Sequence, residues 1–250
     1  MKRFFSVLSC LLCGMSYAFT PIATAEENIL VSLFQASQAV VSVHAQIGAI
    51  VNDETQSVLI KETGQILTRR HITPVIHDRF GTGVLIHPSG LLVTNAHNVY
   101  KATRIVVTTS DQAQFAAEVL FVSPAEDLAI LKIHSAGEHP YIPVGNSETI
   151  KLRDPVYSIG GSALIKNTFS EGRVKGIAKR KRASDKIGMI QVNFNIYGGD
   201  SGSPLLNRQG ELIGLMTAAD SKKSKVAFAI PSERIAAALR EIERKKTSLS

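Results

Sequence analysis

The chain has 250 residues, 44% of them hydrophobic and 20% charged. That is too apolar for a disordered chain, and the length suits one all-β domain as well as two smaller ones. A net charge of +7 is a mild excess, and with no nucleic-acid-binding motif beside it nucleic acid is not the expected partner.

In chain order, Met1-Lys2-Arg3 is a short positive start, Phe4 to Phe19 is mostly apolar, and Ala23-Thr24-Ala25 offers a small-x-small cleavage site. The pattern predicts a signal peptide over 1–25, with Glu26 first after cleavage, and an exported, periplasmic or secreted protein. The alternative is an uncleaved anchor, although the apolar stretch is shorter than the ~20 residues of a spanning helix. No stable membrane insertion is therefore expected. A lipid-attachment site at Cys10 or Cys13 fits less well, since Leu12 stands before Cys13 where a small residue is expected. Both cysteines of the chain fall inside this segment. The mature protein is thus expected to lack disulfides and thiolate metal sites.

An amphipathic helix is predicted from Asn28 to about Gln38, with Ile29, Leu33 and Ser37 on one face. Ala39 to His44 reads as a strand. From Gln46 to Asp78 the pattern is irregular. An exposed loop is expected there, with a short hairpin of Ser57 to Lys61 and Gln65 to Arg69 turning at Thr63-Gly64. Beyond it come many short apolar runs, among them Gly83 to His87, Leu91 to Thr94, Ile105 to Thr109, Phe115 to Val122 and Leu128 to His134. Val156 to Ile159, Arg173 to Ala178, Met189 to Phe194, Ser203 to Leu206, Leu212 to Thr217 and Val226 to Ile230 continue the series. Short strands between Gly, Pro, Asn and Asp turns indicate an all-β sandwich or barrel. A final helix, about 233–246, is predicted from Ile235, Leu239 and Ile242, with Ser232 as its N-cap. Lys179-Arg180-Lys181-Arg182 reads as a solvated loop, with an anionic partner surface as the alternative. No His/Asp/Glu grouping has metal-ligand spacing and no phosphate loop follows a strand, so neither metal nor cofactor is expected.

Three segments carry candidate chemistry. In Gly198-Gly199-Asp200-Ser201-Gly202-Ser203-Pro204 a Gly-rich turn could expose the Ser201 hydroxyl. The backbone N–H groups of Gly199 and Ser201 could then face the oxyanion of a tetrahedral intermediate. An ordinary hairpin turn is the competing reading. In Val93-Thr94-Asn95-Ala96-His97-Asn98-Val99 an imidazole stands directly after an apolar strand, where a general base is held rigidly; a satisfied core histidine is the alternative. His44, His71, His77, His87, His134 and His139 lack such a setting. In Glu126-Asp127-Leu128-Ala129-Ile130-Leu131 an acid opens a strongly apolar strand, and pairing with His97 would offset its burial. A solvated strand-start acid is the alternative, and Glu126 is the competing carboxylate.

Together, and in the order His97, Asp127, Ser201, these segments resemble the trypsin-like serine proteases, specifically the HtrA/Deg branch of bacterial envelope proteases. Ala39-Val40-Val41-Ser42-Val43, Gly81-Thr82-Gly83-Val84-Leu85-Ile86, Pro204-Leu205-Leu206-Asn207 and Phe228-Ala229-Ile230-Pro231-Ser232 add to the likeness, which covers roughly Asn28 to Leu239. The resemblance implies a chymotrypsin-like fold of two six-stranded antiparallel barrels, about 39–135 and 150–231, flanked by a short N-terminal and a C-terminal helix. It implies a catalytic triad of His97, Asp127 and Ser201, and protein or peptide substrates. It also implies a primary pocket lined by Asn195, Ile196, Tyr197, Thr217, Ala218, Ala227 and Ala229. Asn195 stands where Lys/Arg-cleaving members carry a carboxylate, so cleavage after Val, Ala, Ile or Leu is expected. Asp220 lies near enough to compete with that expectation.

Two departures stand out. The branch usually has Asn before the nucleophile and Gly two residues after it, where this chain has Asp200 and Ser203. The branch also usually carries a C-terminal PDZ domain, for which the sequence in hand leaves no room. Homo-oligomerisation is left open. A secreted protease acting on host proteins and a non-catalytic, chaperone-like binder on the same scaffold are the competing functions.

Overall fold

A computed structural model describes residues 25–60, 65–162, 165–179, 188–193, 199–219 and 226–249. The predicted signal segment with Cys10 and Cys13, the expected turn at Thr63-Gly64, the basic residues Arg180 to Arg182, the expected pocket residues Asn195 to Tyr197 and Asp220 lie outside the described residues.

Helix α1 (Ala25–Ser37) leads into β1 (Val40–Ile60), β2 (Gln65–His87) and β3 (Leu91–Thr94). A short helix α2 (Ala96–Val99), then β4 (Ala102–Thr108), β5 (Gln114–Ser123) and β6 (Leu128–Ile133), complete the first half. These six strands close a barrel in the order β1-β2-β3-β6-β5-β4. After a 3-10 turn at Ser147–Thr149 come β7 (Pro155–Ser162), β8 (Ile165–Lys179) and β9 (Gly188–Val192). They are followed by β10 (Pro204–Leu206), β11 (Leu212–Ala219) and β12 (Ala227–Pro231). This second set closes as β10-β11-β12-β9-β8-β7. Closure removes free sheet edges, and every neighbouring pair in both barrels is antiparallel. Helix α3 (Ser232–Leu249) follows. The fold is the expected chymotrypsin-like pair of barrels with a helix at each end.

The apolar runs explain the strand positions. All of Leu128 to Leu131, and Ile133, are fully buried, so β6, between β3 and β5 in the barrel wall, is covered on both faces. Strand β5 has no such run; its residues are exposed or half-buried throughout. One core joins the first barrel to both helices through Leu33, Ala36, Ile235 and Ala238. A second fills the second barrel with Val156, Val174, Ile190, Val192, Leu205, Ile213 and Met216. Leu239 and Ile242 pack half-buried on the first core, as their spacing predicted.

Three expectations need correction. The stretch from Gln46 to Asp78 is not an exposed loop: the expected pairing of Ser57 onward with Gln65 onward is present, but as the end of one longer hairpin, with β1 and β2 paired from Val40 opposite Val84 to Ile60 opposite Gln65 and a register shift between Ile47 and Ile50. Strand β4 flanks β1 only over Ser42–Ile47, and β3 flanks β2 only over Gly83–His87. Among the described residues no third strand pairs with the outer arm, and a two-stranded ribbon need not carry the alternation by which a strand is read. Strand β8 likewise begins at Ile165, well before Arg173. Finally, Ser232 does not act as the expected cap: its hydroxyl accepts the Ser147 N–H at 3.1 Å.

Candidate active site

Strand β3 ends at Thr94, and the chain turns at once into α2, so His97 stands in a short helix and not on the strand itself. Asn95 anchors this turn by donating its side-chain amide to the Asp127 carbonyl at 3.1 Å. The Ala96 N–H reaches the same carbonyl at 3.0 Å. Asp127 opens β6 from a tight turn and adopts a left-handed backbone, φ 57°. Such a conformation is uncommon away from glycine and best tolerated by Asn and Asp.

The turn aims the Asp127 carboxylate at His97. Imidazole Nδ1 lies 2.9 Å from both carboxylate oxygens, and the His97 backbone N–H donates to Oδ1 at 3.0 Å. The Thr217 hydroxyl, from β11 of the second barrel, donates to Oδ2. Asp127 is 7% exposed. Burial opposes its charge, but the hydrogen bonds of His97 and Thr217 and the nearby imidazole outweigh it, holding the carboxyl below the usual range. Glu126, the competing carboxylate, turns away to pair with Arg234 at 3.2 Å.

Ser201 reaches this pair from the second barrel. Its turn is clamped to the first barrel by three hydrogen bonds. The Thr82 N–H donates to the Ser201 carbonyl at 2.9 Å, the Thr82 hydroxyl to the Gly199 carbonyl at 2.7 Å, and the Asn98 amide to the Ser201 carbonyl at 3.1 Å. Gly202 makes the close approach feasible. It has φ +93°, and a Cβ there would fall 1.9 Å from the Thr82 oxygen. Gly81 is forced in the same way, since a Cβ would overlap the Asn98 side chain at 2.2 Å. His97 and Ser201 then line one cleft of about 400 Å³ with Arg79, Phe80, Asn98 and Gly199. Gly199 has φ 98°. No hydrogen bond among the described residues uses the N–H of Gly199 or of Ser201, and none joins the Ser201 hydroxyl to His97.

The first comparison bears on this cleft. Residues 81–215 match the family model described as a trypsin-like peptidase domain. The chain belongs to that family. It is 30% identical over 231 residues to a Synechocystis protein named as a serine protease, HhoA, a match covering 86% of this chain and 58% of that protein. To Serine protease HTRA1 of Xenopus tropicalis it is 31% identical, over 67% of this chain and 37% of the relative. To a protein of Chlamydia pneumoniae named as a DegP-like periplasmic serine endoprotease it is 36% identical, over 61% and 32%. The chain thus spans about a third to three fifths of these relatives. The solved structure of the HtrA-type protease AlgW with tripeptide superposes with a TM-score of 0.68 at 23% identity, covering 86% of this chain and 63% of that one. This member of the trypsin-like peptidase domain family therefore shares its fold with HtrA-type proteases.

The expected pocket wall fares differently. Ala227 and Ala229 are fully buried in the core of the second barrel, beside Val192, Ile190 and Met216, and are packing residues. Thr217 spends its hydroxyl on Asp127 and so supports the carboxylate. The backbone of Ala218 belongs to β11. Asp200 lies over β7, where a Cβ on Gly160 would fall 2.3 Å from its Oδ1. Ser203 is fully buried, and among the described residues its hydroxyl has no hydrogen-bond partner. Sequence reading missed Thr217 as a carboxylate ligand, together with Thr82 and Asn98 as clamps. The glycines flanking Thr82 were the available signal for the close approach. Among the described residues no grouping of three His, Cys, Asp or Glu side chains could hold a metal, and no helix is long and apolar enough to cross a membrane.

Proposed function

We propose that this trypsin-like peptidase is a serine endopeptidase using His97, Asp127 and Ser201. The observation that carries the reading is the doubly bonded His97–Asp127 pair in the cleft that Ser201 lines. The Asp127 carboxylate stays ionised and keeps the proton on Nδ1, which leaves Nε2 as the base. Ser201 Oγ adds to the scissile carbonyl as its proton passes to Nε2. The oxyanion is held by the N–H groups of Gly199 and Ser201. Collapse breaks the C–N bond, and the same proton goes to the leaving amine. Water repeats the sequence on the ester and regenerates the serine. Apo serine–histidine contacts tighten only when substrate is bound, which fits their separation here.

Incubation with unfolded casein tests this. The chain should cut it, and both Ser201→Ala and His97→Ala should lose cutting to about the same extent while keeping the fold by circular dichroism. Casein cutting by Ser201→Ala at the native rate would sink the mechanism.

The finer reading extends this to cleavage of unfolded or exposed segments in the cell envelope. It is supported by the exported character of residues 1–25 and by the periplasmic name of the Chlamydia relative. Processed protein should begin at Glu26, as intact mass will show. Cleavage is expected after small aliphatic residues, because Asn195 gives a buried Lys or Arg no counter-charge. Peptide-library digestion dominated by cuts after Lys or Arg would refute that preference.

A further inference from the structure

Strand β2 brings one more side chain to the cleft. Arg79 is exposed, lines the cleft with Ser201, and donates Nη1 to the His97 carbonyl at 2.6 Å. A guanidinium has five N–H donors, and this is the one hydrogen bond that Arg79 makes among the described residues. The adjacent acid does not claim it. Asp78 Oδ1 is bonded by His44 Nε2 at 2.6 Å and by the Gln46 amide at 3.4 Å. Strand alternation explains the division. Asp78 and Phe80 sit opposite Gln46 and His44, with Phe80 stacked on the His44 ring at 4.5 Å. Arg79 sits opposite Ala45 and points to the other face. Asp127, the acid nearest the cleft chemistry, is buried and committed to His97 and Thr217. The result is a cation fixed at one wall of the cleft with most of its donors unspent among the described residues.

We propose that Arg79 determines specificity by reading an acidic side chain on the leaving-group side of the scissile bond. This rests on the peptidase reading above. The side follows from the chemistry. The leaving amine takes its proton from His97, so the departing segment runs past the imidazole. Arg79 is bonded to the His97 backbone on the first barrel, whereas the acyl half stays with Ser201 on the second. A carboxylate one or two residues beyond the cut would meet the free guanidinium edge, in the bidentate manner that Arg favours. Because the pair is solvent-exposed, its selectivity is expected to be about fivefold and to shrink in high salt.

The test uses internally quenched peptides with Val before the cut and Glu, Gln or Lys at the first or second position after it. Two ratios are read: kcat/KM with the native chain, and Kd by fluorescence anisotropy with the Ser201→Ala chain. The native chain should favour Glu over Gln by about fivefold in both readouts. Arg79→Gln, alone and on the Ser201→Ala background, should bring both ratios to about one. Any loss through His97 positioning acts on all peptides and cancels in the ratio. Arg79→Lys should restore part of the preference, and Arg79→Glu should invert it towards Lys. Equal handling of Glu and Gln by the native chain, or a ratio that survives Arg79→Gln, overturns the proposal. Glu-selective binding without cleavage of any peptide would instead overturn the peptidase reading and sustain the role of Arg79.

Discussion

Thr217 and Gly202 show how much of the site rests on residues that do no chemistry. Thr217→Val removes one donor to Asp127 while keeping the shape of the side chain. A hydrogen bond to a charged group is worth roughly 1.5–3 kcal/mol, so kcat/KM should fall by about tenfold or more. The acid limb of stability should move as well. A carboxyl held below its usual range adds stability that is complete above its unfolded pKa of about 3.9 and is lost as pH falls through the lower, folded value. Without the Thr217 bond that folded value rises, so acid unfolding of Thr217→Val should begin at higher pH. An unchanged acid midpoint would show that the hydroxyl does not carry the depression. Gly202→Ala should be worse for stability, because the added Cβ meets the Thr82 carbonyl at 1.9 Å in a backbone that disfavours side chains. A loss of about 3 kcal/mol, or on the order of 10 °C in Tm, is expected in calorimetry. His97, Asp127 and Ser201 were legible in the sequence because strong local patterns surround each. Thr217 was not legible as a ligand of Asp127, since the contact spans 90 residues and crosses the barrels. The burial of Ala227 and Ala229 was not legible either. Position along a strand does not say which face looks into the barrel.

At the scale of elements, helix α3 is tied to the chain between the barrels by one acid. Glu233 accepts the Ser147 N–H at 2.8 Å, the Ser147 hydroxyl and the Glu148 N–H at 3.2 Å. Burial opposes its charge, but these donors prevail and keep the carboxyl below its ordinary range. Glu233→Ala should destabilise by about 1–2 kcal/mol, and the loss measured by urea titration should fade in acid, where the native carboxyl is itself protonated. Loss of equal size at all pH values would assign the effect to helix packing instead. The barrel strands were legible wherever a buried face forced a run or an alternation, as in Leu128 to Ile133. Of the outer hairpin only the end that pairs Ser57–Ile60 with Gln65–Thr68 was legible; the rest was not, because a two-stranded arm needs no such pattern. Helix α2 was missed because its single turn, Ala96–Val99, is held by Asp127 and not by its own propensity.

For the whole molecule, that arm makes a simple prediction. Among the described residues its strands beyond Ile47 and His77 pair only with each other, and an isolated two-strand hairpin adds little stability in water. Joining Ile47 to His77 through a short Asn-Gly turn should leave Tm within a few degrees and casein cutting intact. A large fall in Tm would show that the arm folds back on the barrels.

Thr82, Asn98 and Thr217 each reach from one barrel to the other. With the nucleophile on one half and its base on the other, the proposed chemistry exists only while the two halves are docked. Docking is lost whenever either half opens. A molecule damaged by heat or acid therefore disarms itself at the moment it becomes a threat. Under the proposed mechanism such a copy would no longer cut its intact neighbours, while its own loosened strands would be open to them. On the proposed function, intact copies would then be able to clear opened ones.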